Sequence, residues 1–304
     1  MKRLIAVLIG AGLAATACTA SGARSLGPAP TGSPIGTPPP TTQPSPAATG
    51  SVSPGPTTPS PSPTATRTFT YEVWFSLHRK LFVTKRTSPF TVAVGRLALT
   101  AMLEGPSTAE ATASVKTAIP AGTRVLGLSI GNGVARVDLS SEFESNPTST
   151  SMPMALRLAQ VIYTISQYSN VGRVQFAIDG QGRTTVGGIP VQGRQNRAAY
   201  GSFLPAILVQ TPLIGARVSS PVTISGTADV FEATVSLRIL DANGHEIART
   251  FTQASCGTGC RGDYSIAVPY QIATEQQGTI EVFESSAKDG SAINLVAIPV
   301  TLTA

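Results

Sequence analysis

Apolar and polar residues alternate along several short runs of the chain, and they follow the helical period in two longer runs. Alternation in runs rich in aromatic and β-branched residues predicts strands, and apolar residues spaced three and four apart predict helices. Between residues 70 and 178, strands are predicted at 70–77, 80–86 and 171–178, a hairpin at 119–139, and helices at 92–104 and 154–168. The order β-β-α-β-β-α-β indicates a small α+β layer with two helices on one sheet face.

The run from Ile119 to Phe143 is the structural centre of this predicted layer. Its hairpin turns at Asn132-Gly133, between two apolar strands. Both residue types tolerate the positive φ that a type I′ turn requires, so Asn-Gly is a strong hairpin signal.

The last hundred residues carry short strand patterns and no competing helical period. The strands are predicted at 207–210, 222–226, 235–240, 245–252, 264–268, 278–284 and 293–302. Seven short strands separated by turn signals predict an antiparallel β-sandwich.

The N-terminus has the pattern of an export signal. Lys2 and Arg3 precede an apolar run of 13 residues, which suits a signal sequence better than a membrane-spanning helix. The run ends in Ala-Thr-Ala-Cys18, similar to a bacterial lipobox, although Leu usually stands where Ala15 does. We therefore expect a lipoprotein signal peptide at 1–17 and lipidation of Cys18. Ordinary signal cleavage beside an incidental cysteine is the alternative.

Composition divides the rest of the chain. Residues 18–66 are mostly Pro, Ser, Thr, Gly and Ala, and 13 of the 24 prolines lie between Pro28 and Pro63. Such a segment cannot bury enough apolar area to fold, so a disordered linker is expected. The predicted domains are then an α+β domain at 67–193, a short linker at 194–204 and the sandwich at 205–304.

Charge is distributed unevenly between the two predicted domains. Residues 67–204 hold 14 Lys and Arg against 7 Asp and Glu (+7), whereas residues 205–304 hold 5 against 9 (−4). The basic part could face anionic lipid or wall polymer, but an ordinary solvated surface explains it as well. Nucleic-acid binding is not expected, because the basic residues are scattered and the protein is predicted to be exported.

Candidate chemistry is sparse. Asp138, Glu142, Glu144 and Asp179 form an acidic grouping in the basic domain. A paired-carboxylate hydrolase or a metal site at Asp138 and Glu142 is conceivable. The preferred interpretation has Asp138 and Ser140 bonding turn amides at the strand end, with Glu142 exposed. No catalytic, cofactor or metal residue is predicted.

The histidines and cysteines do not suggest an enzyme either. His78 and His245 are expected at the surface, and no nucleophile-elbow motif accompanies them. Cys256 and Cys260 are expected to close a small disulfide loop, since two thiols alone make a poor zinc site.

Several motifs of the first domain match a known family in the right order. LEGP at 103–106, TAIPAGT at 117–123, GVARVDLSSEF at 133–143, RLAQVIYTISQY at 157–168 and VQFAIDG at 174–180 resemble the GerMN domain of sporulation and germination proteins. The resemblance implies a fold like the ring-building motif of secretion assemblies, protein–protein contact in the envelope, and in some lipoproteins an association with a sensor kinase system. The sandwich resembles the immunoglobulin-like domain that accompanies GerMN, apart from the CGTGC insertion.

The sequence as a whole predicts a non-enzymatic lipoprotein on the outer face of the cytoplasmic membrane. It would act as a binding or assembly module of the envelope, related to sporulation or germination or accessory to a sensor. The expected partners are envelope proteins, with cell-wall polymer as a second candidate, and the membrane through the anchor on Cys18. The alternative is a wall-active hydrolase, or a wall-polymer-binding module, that uses the acidic grouping near Asp138 and Glu142.

Overall fold

The structure is a computed structural model that describes residues 67–145, 153–193 and 195–304. These residues belong to one compact unit, Ser62–Ala304. The predicted signal peptide, Cys18 and the predicted linker at 18–66 lie outside the described residues. No helix in the described ranges is both long enough and apolar enough to cross a membrane.

The first module is α+β, as the sequence predicts. Its elements are β1 (Thr68–Leu77), β2 (Lys80–Pro89), α1 (Val94–Glu104), α2 (Thr108–Thr112), β3 (Val125–Gly131), β4 (Val134–Leu139), a 3-10 helix (Ser141–Glu144), α3 (Met154–Ile165), β5 (Arg173–Ile178), β6 (Gln181–Gly182), β7 (Thr185–Val186) and β8 (Ile189–Pro190). The short α2 and the short strands β6, β7 and β8 are additional to the predicted elements.

The hairpin of β3 and β4 is confirmed. Asn132 and Gly133 have φ of 52° and 75°, the positive values that the predicted turn requires. β4 continues through α3 to β5, which pairs with it in parallel, and the sheet order is β3-β4-β5-β6. Parallel neighbours need such a crossover, and the helix supplies it.

The first two strands do not join that sheet. β1 and β2 pair only with each other as a ladder, apart from one bridge between Ser76 and Lys116. The free edge of β1 is instead covered by α3 and the residues that follow it. Gln167 bonds both the N–H and the C=O of Glu72, at 2.7 and 2.8 Å. Side chains thus replace a neighbouring strand, because edge amides buried without partners would destabilise the fold.

The same replacement continues one turn earlier in α3. Thr164 Oγ1 accepts a bond from Trp74 N–H at 3.1 Å, and Gln160 Nε2 donates to Trp74 C=O at 3.0 Å. The spacing of four and three places Gln160, Thr164 and Gln167 on the same side of α3 and its continuation. That side packs against β1. The sequence pattern indicated one apolar face, but every residue of α3 from Leu156 to Ile165 is buried.

The second module is a sandwich of two sheets, as predicted. Its strands are β9 (Ile207–Thr211), β10 (Arg217–Ser219), β11 (Val222–Ala228), β12 (Thr234–Leu240), β13 (Glu246–Gln253), β14 (Gly262–Val268), β15 (Gln276–Ser285) and β16 (Ala292–Thr303). One sheet has the order β14-β11-β9 and the other β10-β16-β15-β12-β13. The unpredicted strand β10 pairs in parallel with the end of β16.

A short helical segment joins the two modules. A 3-10 helix, Arg197–Phe203, begins after Asn196, whose side chain accepts a bond from Ala199 N–H. Tyr200 is buried and its hydroxyl donates to Gln195 at 2.7 Å. Residues 195–204, predicted as a plain linker, are therefore packed structure.

Candidate functional site

The four acidic residues of the predicted grouping lie where β4 and β5 end and in the segments that follow. Asp138 Oδ1 accepts a hydrogen bond from Gly180 N–H at 3.0 Å. Asp179 Oδ1 accepts one from Ser141 N–H at 3.2 Å. Each carboxylate therefore orders a neighbouring turn. For Asp138 this is the role preferred from the sequence, and Ser140 Oγ likewise accepts a bond from Arg124 N–H at 3.0 Å.

Glu144 and Glu142 differ from each other. Glu144 bonds Arg183 Nη2 at 3.2 Å and Gly187 N–H at 2.9 Å. The expectation that Glu142 is exposed is wrong: the residue is only partly exposed, and its Oε2 is buried without a hydrogen bond from any described residue. Bonding with Ser140 and with the main-chain amide of Glu142 itself outweighs burial and lowers the pKa of Glu142. An ionised carboxylate has no proton to give, so Glu142 does not suit the role of general acid.

The two histidines lie at exposed turns, far from this grouping along the chain. His78 sits in the two-residue turn between β1 and β2, with φ of 50°. His245 is exposed, with Nδ1 3.5 Å from Asp241 Oδ2. In the part of the chain that the structure describes, no group of three or more His, Cys, Asp or Glu could hold a metal ion.

Cys256 and Cys260 are joined in a disulfide. The loop that they close is held by the segment after β11. Gly259 N–H donates to Asp229 Oδ1 at 2.8 Å, and Thr258 N–H donates to Val230 C=O at 3.0 Å. The loop therefore sets the position of Arg261, the next residue, which bears on the cleft described below.

An exposed apolar surface that the sequence did not identify lies beside β3. Val92 is 92% exposed and Ile130 37% exposed, and both border a groove of about 350 Å³. We call this the β3 groove, and define it by Val92, Val94, Leu128, Ile130 and Tyr168. Two more large apolar residues are exposed nearby in the sequence: Phe90, two residues before Val92, is 58% exposed, and Leu126, two residues before Leu128, is 43% exposed. Contiguous exposed apolar residues mark interaction sites more often than single ones do.

The main chain of β3 is open on the groove side. β3 is the terminal strand of its sheet, and its two-residue turn makes Gly131 and Val134 the last hydrogen-bonded pair. Pairs alternate in an antiparallel ladder, so the N–H and C=O groups of Leu128 and Ile130 point away from β4. No main-chain bond from another described element reaches them.

Positive charge lies beside the strand. Arg96 Nη2 donates to Val125 C=O at 3.0 Å, and Arg124 precedes the strand. Arg136 on β4 lies on the other sheet face and donates to Gly180 C=O at 3.1 Å. The arrangement is thus a strand edge able to pair, an apolar groove for side chains, and a basic rim. One signal was present in the sequence: Val92 is apolar but falls off the apolar face of the predicted helix.

The fold defines a class of protein with two modules, an α+β domain followed by an immunoglobulin-like sandwich. Two family models match the chain, one in each module. Residues 63–184 match the model described as "Sporulation and spore germination", and residues 206–291 match the "Immunoglobulin-like domain of bacterial spore germination". The chain therefore carries both spore-germination domains, and the resemblance noted in the sequence is confirmed.

The solved structures that the chain matches include GerMN domains. The first GerMN domain of the sporulation protein GerM from Bacillus subtilis is 23% identical and covers 43% of this chain and 98% of that chain, with a TM-score of 0.35. The tandem GerMN domains of the same protein are 15% identical, over 67% of this chain and 62% of that chain, with a TM-score of 0.37. A putative lipoprotein from Clostridium perfringens is 18% identical, over 45% and 93%, with a TM-score of 0.32. No curated protein matches the chain.

Proposed function

We propose that the protein is a non-enzymatic binding or assembly module of the cell envelope that works in sporulation or germination or beside a sensor. In this proposal it is exported, anchored by a lipid on Cys18 to the outer face of the cytoplasmic membrane, and separated from it by residues 18–66. Two germination-related domains and the signal-like N-terminus support this. The domain limits proposed from composition, 67–193 and 205–304, are retained.

The open edge of β3 carries the proposal. An extended segment of an envelope protein would add a strand along β3, bonding the outward main-chain groups of Leu128 and Ile130. Its apolar side chains would enter the β3 groove beside Val92. Arg96 and Arg124 beside the strand favour a segment with an acidic flank, because complementary charge speeds and directs association.

Replacing the exposed apolar residues should abolish capture of the partner. Val92→Asp and Ile130→Asp each place a carboxylate where the partner's apolar side chains would lie. We expect at least about a tenfold loss of the partner recovered with the full chain from detergent-solubilised envelopes. Phe251→Asp is the matched control, because Phe251 is 65% exposed on β13 of the other module.

A variant of the main chain separates strand pairing from simple apolar contact. Ile130→Pro removes an N–H that points away from β4, so the hairpin keeps its ladder while strand addition is blocked. Ser129→Pro instead removes an N–H that faces β4 and should destabilise the hairpin. Recovery of no partner by the wild type, or equal recovery by the wild type and Val92→Asp, would contradict the proposal.

The buried Oε2 of Glu142 favours one second candidate, a wall-active hydrolase. If that candidate were right, Asp138→Ala combined with Glu142→Ala would abolish a muralytic activity while circular dichroism stayed unchanged. We expect instead no muralytic activity in the wild type and undiminished partner capture by the double variant. The reason is that Asp138 is engaged with Gly180 N–H and the pKa of Glu142 is lowered.

A further inference from the structure

A second concave surface lies between the two modules, within the same compact unit. It is a cleft of about 440 Å³. Its wall combines Tyr163 of α3, Leu204 from the joining segment, Leu208 of β9, and two arginines, Arg197 and Arg261. The lining residues come from widely separated parts of the chain, so no single sequence motif predicts the cleft.

Arg197 is held rigidly on one side of the cleft. Its guanidinium carbon lies 5.0 Å from the ring centroid of Tyr163 and 5.4 Å from that of Trp74. Nη2 donates to Tyr163 C=O at 2.8 Å, and Nε donates to Ser166 Oγ at 3.1 Å. Glu72 Oε2 lies 3.5 Å from Nη2. Within the described residues, Nη1 has no hydrogen-bond partner, so it can bind something else.

Arg261 is held on the other side by the disulfide loop and by main-chain acceptors. Nη1 donates to Thr227 C=O at 3.2 Å and to its Oγ1 at 3.1 Å, and Nη2 donates to Pro205 C=O. Burial lowers the pKa of Arg261, although the charge of Asp229 opposes this. Among the described residues, Nε has no partner.

Both arginines line the cleft together with Tyr163, whose hydroxyl donates to Arg197 C=O at 3.0 Å. Burial raises the pKa of Tyr163, and the positive charges of Arg197 and Arg261 oppose the rise. Two cations held in one partly buried cleft repel each other, and an anion between them removes that repulsion. Asp229 also lines the cleft, but its Oδ1 is engaged with Gly259 N–H.

We propose that this cleft binds a small ligand through a carboxylate, which Arg197 Nη1 and Arg261 Nε would hold. Guanidinium donors bind carboxylates and phosphates alike, so the discrimination against inorganic phosphate rests on the apolar body that phosphate lacks. Leu204 and Leu208 would contact a short apolar body beside it. The site is separate from the β3 groove and does not depend on the function proposed for that groove.

Titration calorimetry on the full chain tests the site with three probes. N-acetyl-alanyl-alanine offers a free carboxylate, its C-terminal amide lacks one, and inorganic phosphate is a tetrahedral anion. We expect the free acid to bind with a Kd of about 1 mM or lower. The C-terminal amide and inorganic phosphate should each have a Kd at least about tenfold higher. Arg197→Gln and Arg261→Gln should each weaken the acid about tenfold or more. Arg217→Gln, at an exposed arginine of β10, should not change it.

A variant that binds the acid more tightly would show that the arginine variants act at the site and do not simply unfold the protein. Asp229→Asn removes a negative charge beside Arg261 yet keeps an oxygen that can accept the bond from Gly259 N–H. We expect it to bind the acid several-fold more tightly. The proposal fails if no probe binds below about 10 mM, if the amide or phosphate binds as tightly as the acid, or if the arginine variants bind like the wild type.

Discussion

Glu110→Gln should lower the free energy of unfolding by about 3 kcal/mol at pH 7. The Glu110 side chain is only 4% exposed, and its carboxylate bonds both terminal nitrogens of Arg86, at 2.8 and 2.6 Å. Thr84 Oγ1 donates to it at 2.5 Å, and Ser107 N–H at 2.7 Å completes a capping box on α2. Replacing the carboxylate leaves Arg86 without its counter-charge at a site that is mostly withdrawn from water.

The same group predicts how stability depends on pH. Burial alone would raise the pKa of Glu110, but the bonds from Arg86, Thr84 and Ser107 outweigh it and lower the pKa from 4.5 to about 2. The stabilisation is therefore complete above the unfolded pKa and is lost as pH falls from about 5 to about 2. The difference in stability between wild type and Glu110→Gln should shrink over that interval.

Urea unfolding followed by circular dichroism at several pH values measures this difference. Glu275→Gln is the matched control, because Glu275 pairs with Arg217 at an exposed position, where water screens the ion pair and its contribution to stability is small. Two results would contradict the stabilising role given to the Glu110 carboxylate. One is a loss of unfolding free energy in Glu110→Gln smaller than that in Glu275→Gln, and the other is a loss that stays constant from pH 7 to pH 2.

Gly226→Ala should destabilise the second module by about 3 kcal/mol or more. A Cβ on Gly226 would lie 1.9 Å from Leu208 O and 2.9 Å from Tyr264 Oη. The first of these atoms is main chain of the neighbouring strand β9, so a rotamer change cannot relieve the clash. β9 would have to move away from β11, at the position where it also lines the cleft.

Gly131→Ala provides the comparison for Gly226→Ala. Gly131 lies in β3, and a Cβ there meets no atom within 4 Å. We expect a change in unfolding free energy of less than about 0.5 kcal/mol, since alanine also loses less backbone entropy than glycine on folding. Equal losses in the two variants, measured by thermal unfolding, would show that the close approach of β9 and β11 is misdescribed.

Local patterns predicted what local interactions determine. Asn132-Gly133 specified its turn because the required φ values depend on those two residues alone. The bounds of the seven predicted sandwich strands were correct to within a few residues. Apolar and polar residues alternate in a strand that is buried on one face, so the pattern marks where each strand begins and ends. The parallel strand β10 was missed, since its three residues carry no pattern of their own.

Features that depend on distant residues could not be predicted. Gln160, Thr164 and Gln167 read as the polar side of an amphipathic helix, yet they bond the main chain of β1, about ninety positions away. The β3 groove and the cleft are likewise assembled from separate segments. In the acidic grouping, the bond from a turn amide to Asp138 was predicted from the sequence, whereas the burial of Glu142 Oε2 was not.

Photo-crosslinking in living cells tests the central claim, that the protein works through the β3 groove, most directly. A photoreactive amino acid at position 92 should give one discrete adduct with an envelope protein, because this position is almost fully exposed beside the open strand. The same residue at position 251, exposed on the other module, should give no such adduct. An adduct at both positions, or at neither, would contradict the claim.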